Sequence, residues 1–172
     1  MGFSPFCPGF VAKQEITKAP VVGAVCKALN CIYVSRAGTP EERLKNIKQI
    51  EDRQNDIERD AAYSKIIIFP GGTTTNAHYL IPFKKGAFES LKPVVPIVLD
   101  YSCEEFISSA YDIIDFVPLI CLRYSMFSFY TYHAQLLPPV QPTEYMYNKF
   151  ADKGKEKWEI FAWVVRDIMA KQ

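Results

Sequence analysis

Two neighbouring glycines, Gly71 and Gly72, follow the apolar run Ile66-Ile67-Ile68-Phe69 and a proline, and Thr73-Thr74-Thr75-Asn76 comes next. Paired glycines let backbone amides approach a phosphate closely. A loop that opens from the end of an apolar strand is where α/β sheets place their ligands. Arg36 ends an earlier strand-like run, Tyr33-Val34-Ser35, in the same way, and Lys84 and Lys85 follow the glycine loop. Cations and a glycine turn at neighbouring strand ends suit an anionic headgroup. A tight turn flanked by solvated lysines is the competing reading, and spacing alone leaves both open. Neither G-x-x-x-x-G-K-[ST] nor G-x-G-x-x-G occurs, so nucleotide binding is unsupported.

Other reactive side chains are few. The chain has two histidines: His78 follows the glycine loop, and His133 lies in an alternating run between Tyr132 and Ala134. The first is expected to be a polar loop residue and the second a satisfied structural one. The five cysteines (Cys7, Cys26, Cys31, Cys103, Cys121) form no C-x-x-C pair, and their odd number does not fit a secreted disulfide framework. They are expected to be reduced thiols. No metal centre and no cofactor is expected.

The elements that must position these residues alternate. Phe10–Lys13 reads as a strand, Val21–Leu29 as a small apolar helix and Cys31–Val34 as a second strand. Thr39-Pro40-Glu41-Glu42 announces a helix: Thr39 can cap free amides, Pro40 suits the first turn, and Glu42 completes a capping box. That helix is expected to run to about Tyr63, with Leu44, Ile47, Ile50, Ile57 and Ala61 on one stripe. Lys65–Phe69 and Pro93–Leu99 read as further strands, the first continuously apolar as in a covered parallel sheet, the second with prolines that favour a strand start. Phe127–Leu137 alternates as a strand does, and a last helix is expected over about Lys155–Lys171. There, Trp158, Phe161, Ala162, Val165 and Ile168 form an inward stripe. Trp163 and Ile160 are left on the far side, where they are expected to meet a partner or a lipid interface. The pattern is α/β, a sheet flanked by helices.

Composition narrows the classes. The 172 residues, 49% hydrophobic and 14% aromatic, suit a single domain with a full core. The net charge of +1 contains no run of like charges, so nucleic acid is not expected as a partner. Ile113–Leu122, the nearest thing to a membrane span, is too short to cross a bilayer and is expected at a protein or bilayer interface. MGFSPFCPGF is no secretory signal, and Phe6 stands where a myristoylation motif wants Ser or Thr.

Phe69-Pro70-Gly71-Gly72-Thr73-Thr74-Thr75-Asn76 resembles the Phe-Pro-Glu-Gly-Thr block of the glycerol-phosphate and lysophospholipid acyltransferases. Its Thr-Asn continuation is similar to the lysophosphatidylcholine acyltransferase branch. The other blocks come in family order. Phe10-Val11-Ala12-Lys13-Gln14-Glu15, with Pro20 and Gly23, resembles the segment before the family's arginine block, and Tyr33-Val34-Ser35-Arg36 resembles that block. Phe83-Lys84-Lys85-Gly86-Ala87-Phe88 resembles the Lys-x-Gly-Ala-Phe element, and Pro93–Leu99 the final Val-Pro-Val strand. The likeness covers about residues 10–171.

The resemblance implies a partial glycerol-phosphate acyltransferase-like fold with a mixed sheet. It also implies a headgroup-binding set of Arg36, Gly71, Gly72, Thr73, Lys84 and Gly86. The family moves an acyl group from coenzyme A to a lysophospholipid or glycerol-phosphate hydroxyl. A His-x-x-x-x-Asp motif upstream of the Phe-Val-Ala-Lys segment supplies a general base oriented by a carboxylate. The nine residues before Phe10 hold no His and no Asp, neither His78 nor His133 heads such a motif, and Gly71 replaces the family's Glu. The expectation is therefore a domain lacking the N-terminal catalytic block, with no catalytic residue and a vestigial pocket in which Arg36 and Lys84 face one cavity. Such a protein would be an inactive structural subunit of a membrane-associated assembly, at the mitochondrial inner membrane or endoplasmic reticulum, with other protein subunits and possible phospholipid as partners. The alternatives are an active lysophospholipid (1-acylglycerol-3-phosphate) O-acyltransferase whose motif another segment or chain supplies, or a lipid-binding module.

Overall fold

The structure, a computed structural model, describes residues 7–35, 39–60, 63–72, 79–102 and 131–172. The chain divides into two compact units, residues 1–70 with 84–92 and residues 71–83 with 93–172.

The first unit is built on three strands, β1 (Gly9–Lys13), β2 (Ile32–Val34) and β3 (Ile66–Ile67), in the order β2-β1-β3. Both pairings are parallel, with Val11 opposite Ile32 and Phe10 opposite Ile67. Parallel neighbours need crossovers, and two helices supply them. Helix α1 (Pro20–Ala28) returns the chain from β1 to β2, and α2 (Pro40–Arg59) from β2 towards β3. The start of α2 is fixed locally. Thr39 Oγ1 accepts from the Glu42 amide, the Glu42 carboxylate accepts from the Thr39 amide, and Pro40 opens the first turn.

Packing in this unit is selective. Ile50 is the residue of α2 that is fully buried, while Leu44, on the same apolar stripe, is 67% exposed. The segment Lys84–Phe88 lies over α2, with Ala87 and Phe88 buried and a short 3-10 turn at Lys85–Ala87. β3 is shorter than the apolar run around it. Ile66, Ile67 and Ile68 are half-buried and Phe69 is exposed, its ring stacked on Phe10 at 6.4 Å, so this strand is not covered on both faces.

A 3-10 turn (Gln14–Lys18) joins β1 to α1, and Gly23 fits against it. A Cβ at Gly23 would sit 2.8 Å from the Thr17 carbonyl oxygen and 3.1 Å from that of Ile16. Both are backbone atoms that cannot swing aside. Gly23→Ala is therefore expected to push α1 off the turn and cost about 1–3 kcal/mol, read as a lower urea midpoint. An unchanged midpoint would show that α1 floats free of the turn.

The second unit pairs β4 (Ile97–Ser102) with β5 (Thr131–Leu136) as an antiparallel ladder, from Ile97 opposite Leu136 to Ser102 opposite Thr131. β4 begins directly after Pro96, and a further bridge joins Val94 to Val140. Thr143 caps a short helix, α3 (Glu144–Lys149), which the sequence reading passed over. The last helix, α4 (Lys157–Ala170), starts with a box in which the side chains of Glu156 and Glu159 each accept from the other's amide. Ile160, Phe161, Ala162, Val164 and Val165 of α4 are buried with Leu137, Met146 and Tyr147.

That core corrects the outward face expected on α4. Ile160 is 6% exposed, and Trp163 is half-buried with its ring 5.5 Å from Phe150 and the Lys153 ammonium 5.3 Å from the indole centroid. The unit's own side chains cover Trp163, so it is no bare partner contact. Parallel and antiparallel strands flanked by helices make the fold α/β, as expected. Among the described residues no helix is long and apolar enough to cross a membrane. Ile113–Leu122 and Met1–Phe6 lie outside the described residues.

Candidate functional site

Because β1, β2 and β3 run parallel, their C-terminal ends open on one edge of the sheet. Three stretches singled out in the sequence leave from that edge. β1 ends at Lys13, β2 leads through Ser35 towards Arg36, and β3 leads through Phe69 to Pro70. Ligands of α/β sheets gather at such an edge, where backbone amides and loop side chains converge.

Two hydrogen bonds fix the exits. Asn46 on α2 donates from Nδ2 to the Ser35 carbonyl at 3.1 Å, which pins the backbone directly before Arg36. The Lys84 amide donates to the Pro70 carbonyl at 2.9 Å, so the Phe-Lys-Lys-Gly element is tied beside the exit of β3. The Lys84 side chain is exposed there. Lys85 instead pairs with Glu89 at 3.2 Å, one turn on. Gly86 lies over α2, where an added Cβ would meet Ile50 Cδ1 at 3.6 Å. Neither exit bond was foreseen from the sequence, since Asn46 is one polar residue among many on α2 and a backbone tie has no side-chain signature.

Gly71 and Gly72 belong to the second unit and are half-buried. Gly72 has φ 71°, a left-handed conformation in which a side chain would be strained. Arg36, Thr73 and His78 lie outside the described residues. His133 is exposed on β5, in register with Asp100 on β4, instead of being enclosed in a structural site.

A nucleophilic-thiol chemistry finds no support in the first unit. Burial, then the neighbouring Cys31, pushes the Cys26 thiol up, and burial does the same to the Tyr33 phenol beside the two thiols. Cys31 Sγ already accepts the Phe10 amide at 3.3 Å. A thiol held protonated is a poor nucleophile, so Cys26 is not poised for such chemistry.

The arrangement defines an α/β protein whose parallel strands end on one edge, with Lys84 tied beside the exit of β3. The chain belongs to the acyltransferase family, whose model matches residues 4–100. It is 42% identical over 111 residues to lysophospholipid acyltransferase LPEAT1 of Arabidopsis thaliana, covering 62% of this chain and 27% of that protein. It is 32% identical over 170 residues to a lysophosphatidylcholine acyltransferase of Drosophila melanogaster, covering 95% and 28%. With lysophosphatidylcholine acyltransferase 2 of Mus musculus the identity is 29% over 165 residues, again 95% and 28%. The chain thus spans little more than a quarter of the length of these relatives. No solved structure matches it.

These likenesses overturn the expectation of an inactive structural subunit. The relatives are named as acyltransferases, and the aligned part is a fraction of each. The lack of a His-x-x-x-x-Asp pair within these 172 residues therefore carries no weight against catalysis, and Gly71 in place of a carboxylate does not outweigh the family match.

Proposed function

We propose that this chain is the acceptor-binding part of an acyl-CoA-dependent lysophospholipid O-acyltransferase. The observation that carries the reading is the convergence of the Tyr33–Ser35 and Phe69–Pro70 exits on one edge, with Lys84 tied to Pro70. Arg36 and Lys84 bind the phosphate of the acceptor and hold its free hydroxyl towards the thioester. A His-x-x-x-x-Asp pair carried by another segment or chain takes the hydroxyl proton. The acceptor oxygen then bonds to the acyl carbon, the carbon–sulfur bond breaks, and coenzyme A leaves as the thiol. Orientation of this kind lowers the barrier because the two reactants are already aligned. The working place is a phospholipid membrane, of the endoplasmic reticulum or the mitochondrial inner membrane.

The test is acyl transfer from radiolabelled acyl-coenzyme A by membranes that carry the chain together with the segment or chain bearing the His-x-x-x-x-Asp pair. Lysophosphatidylethanolamine, lysophosphatidylcholine and lysophosphatidic acid are offered beside monoacylglycerol. Transfer to the phosphate-bearing acceptors well above that to monoacylglycerol is expected. Absence of transfer, or equal transfer to the phosphate-free acceptor, would refute the reading.

A further inference from the structure

Helix α1 carries an apolar face that no described residue of its unit covers. Val21 is 75% exposed, Val22 53% and Val25 51%, and Ala24 and Ala28 are exposed beside them. At about 100° per residue these five side chains share one continuous side of the helix. The opposite side, at Gly23, is the one that meets the preceding 3-10 turn.

The charge around this face is predominantly positive. From Gly9 to Cys31 the ionisable chains of fixed charge are Lys13, Lys18, Lys27 and Glu15, all exposed. None of the four makes an ion pair among the described residues. Lys18 ends the 3-10 turn and Lys27 lies in the last turn of α1, so positive charge stands before and along the apolar side. An apolar helix side rimmed by lysines matches the boundary between acyl chains and anionic headgroups.

Topology adds the direction. Residues 14–20 leave the C-terminal end of β1, so Val21 and Val22 start at the edge from which the Arg36 and Pro70 loops also leave. We infer that α1, with Lys13, Lys18 and Lys27, is a docking surface for an anionic phospholipid membrane. This surface rests on the proposed lysophospholipid reaction for its purpose, since it sets the acceptor-binding edge against the membrane that holds the acceptor.

The experiment is vesicle flotation of the full chain, without acyl-coenzyme A, on phosphatidylcholine vesicles with and without phosphatidylserine. Binding is expected to be tighter with phosphatidylserine and to weaken as salt rises. Lys18→Gln with Lys27→Gln is expected to weaken it about 25-fold, at about fivefold per lysine. Val21→Ser, Val22→Ser and Val25→Ser together are expected to weaken binding to both vesicle types more than about tenfold. These positions are exposed, and thermal melts of the variants check that the fold is kept. Hydrogen exchange on the unaltered protein gives a readout that needs no substitution: the α1 amides are expected to slow when vesicles are added. Variants that bind as well as the parent, or α1 amides that do not respond, would overturn the assignment. So would α1 amides fully protected before vesicles are present, because another protein segment would then be the occupant. A protein that binds vesicles through α1 yet transfers no acyl chain when the segment or chain bearing the His-x-x-x-x-Asp pair is present would refute the proposed reaction and leave the docking surface standing.

Discussion

Arg36→Ala in the membrane-bound protein is expected to lower kcat/KM for a lysophospholipid acceptor about 100-fold, close to 2.7 kcal/mol of transition-state stabilisation. A guanidinium grips a phosphate through two parallel hydrogen bonds, and such charge-assisted pairs are about twice as strong as neutral ones. Asn46 holds the backbone up to Ser35 through the Ser35 carbonyl. Arg36→Lys should restore only part of the activity, because a lysine keeps the charge and loses the planar fork. Lys84→Ala should do less damage than Arg36→Ala, since Lys84 is exposed and its charge is screened by water. Steady-state kinetics with lysophosphatidylcholine check this. A kcat/KM unchanged by Arg36→Ala, or an equal loss with monoacylglycerol, would remove Arg36 from phosphate binding.

Phe161→Ala is expected to have the largest effect on stability, a loss of about 3–5 kcal/mol. Phe161 is fully buried, at 0% exposure, among Ile160, Val164 and Val165 of its own helix and Leu137, Met146 and Tyr147 of the unit. Removing the ring leaves a cavity whose lining loses its dispersion contacts as well as the transfer term. For a chain of this size that corresponds to roughly 10 °C in Tm. Calorimetry or a urea titration measures it. A shift below about 1 kcal/mol would mean that the space around Phe161 closes without strain.

Local chemistry made parts of this fold readable. Thr39, Pro40 and Glu42 specify the start of α2 by bonds made within one turn, and the structure forms them. Pro96 marks the start of β4 because a proline cannot donate into the ladder. Features set by distant neighbours were not readable. Leu44 and Ile50 share a stripe, yet only Ile50 lies under Ala87 and Phe88, whose approach no periodicity announces. Ile160 falls off the inward stripe of α4 but is buried, because other chain segments cover more than one side of that helix. The headgroup elements were legible as a set of types: an arginine after one strand, glycines after another, then a lysine. What brings the ends of β2 and β3 to one edge is the parallel pairing of β1 with both of them, which no single segment encodes. The inactive reading failed for another reason. It drew a conclusion about chemistry from residues missing in one stretch, and a base can be carried by any part of a protein that reaches the same edge.

The parallel sheet gives the two edges of the first unit unequal tasks. Under the proposed function the loops at the C-terminal edge face the acceptor, while the turns that re-enter β2 and β3, around Asn30 and Ser64, lie at the other edge and close the crossovers. Ile50, Ala87 and Phe88 are the buried side chains of α2 and of the segment that lies over it. On the proposed function, a substitution near Ser35 or Lys84 would alter acceptor choice while leaving Ile50, Ala87 and Phe88 in place, so selectivity and thermal stability of this unit would be tuned separately.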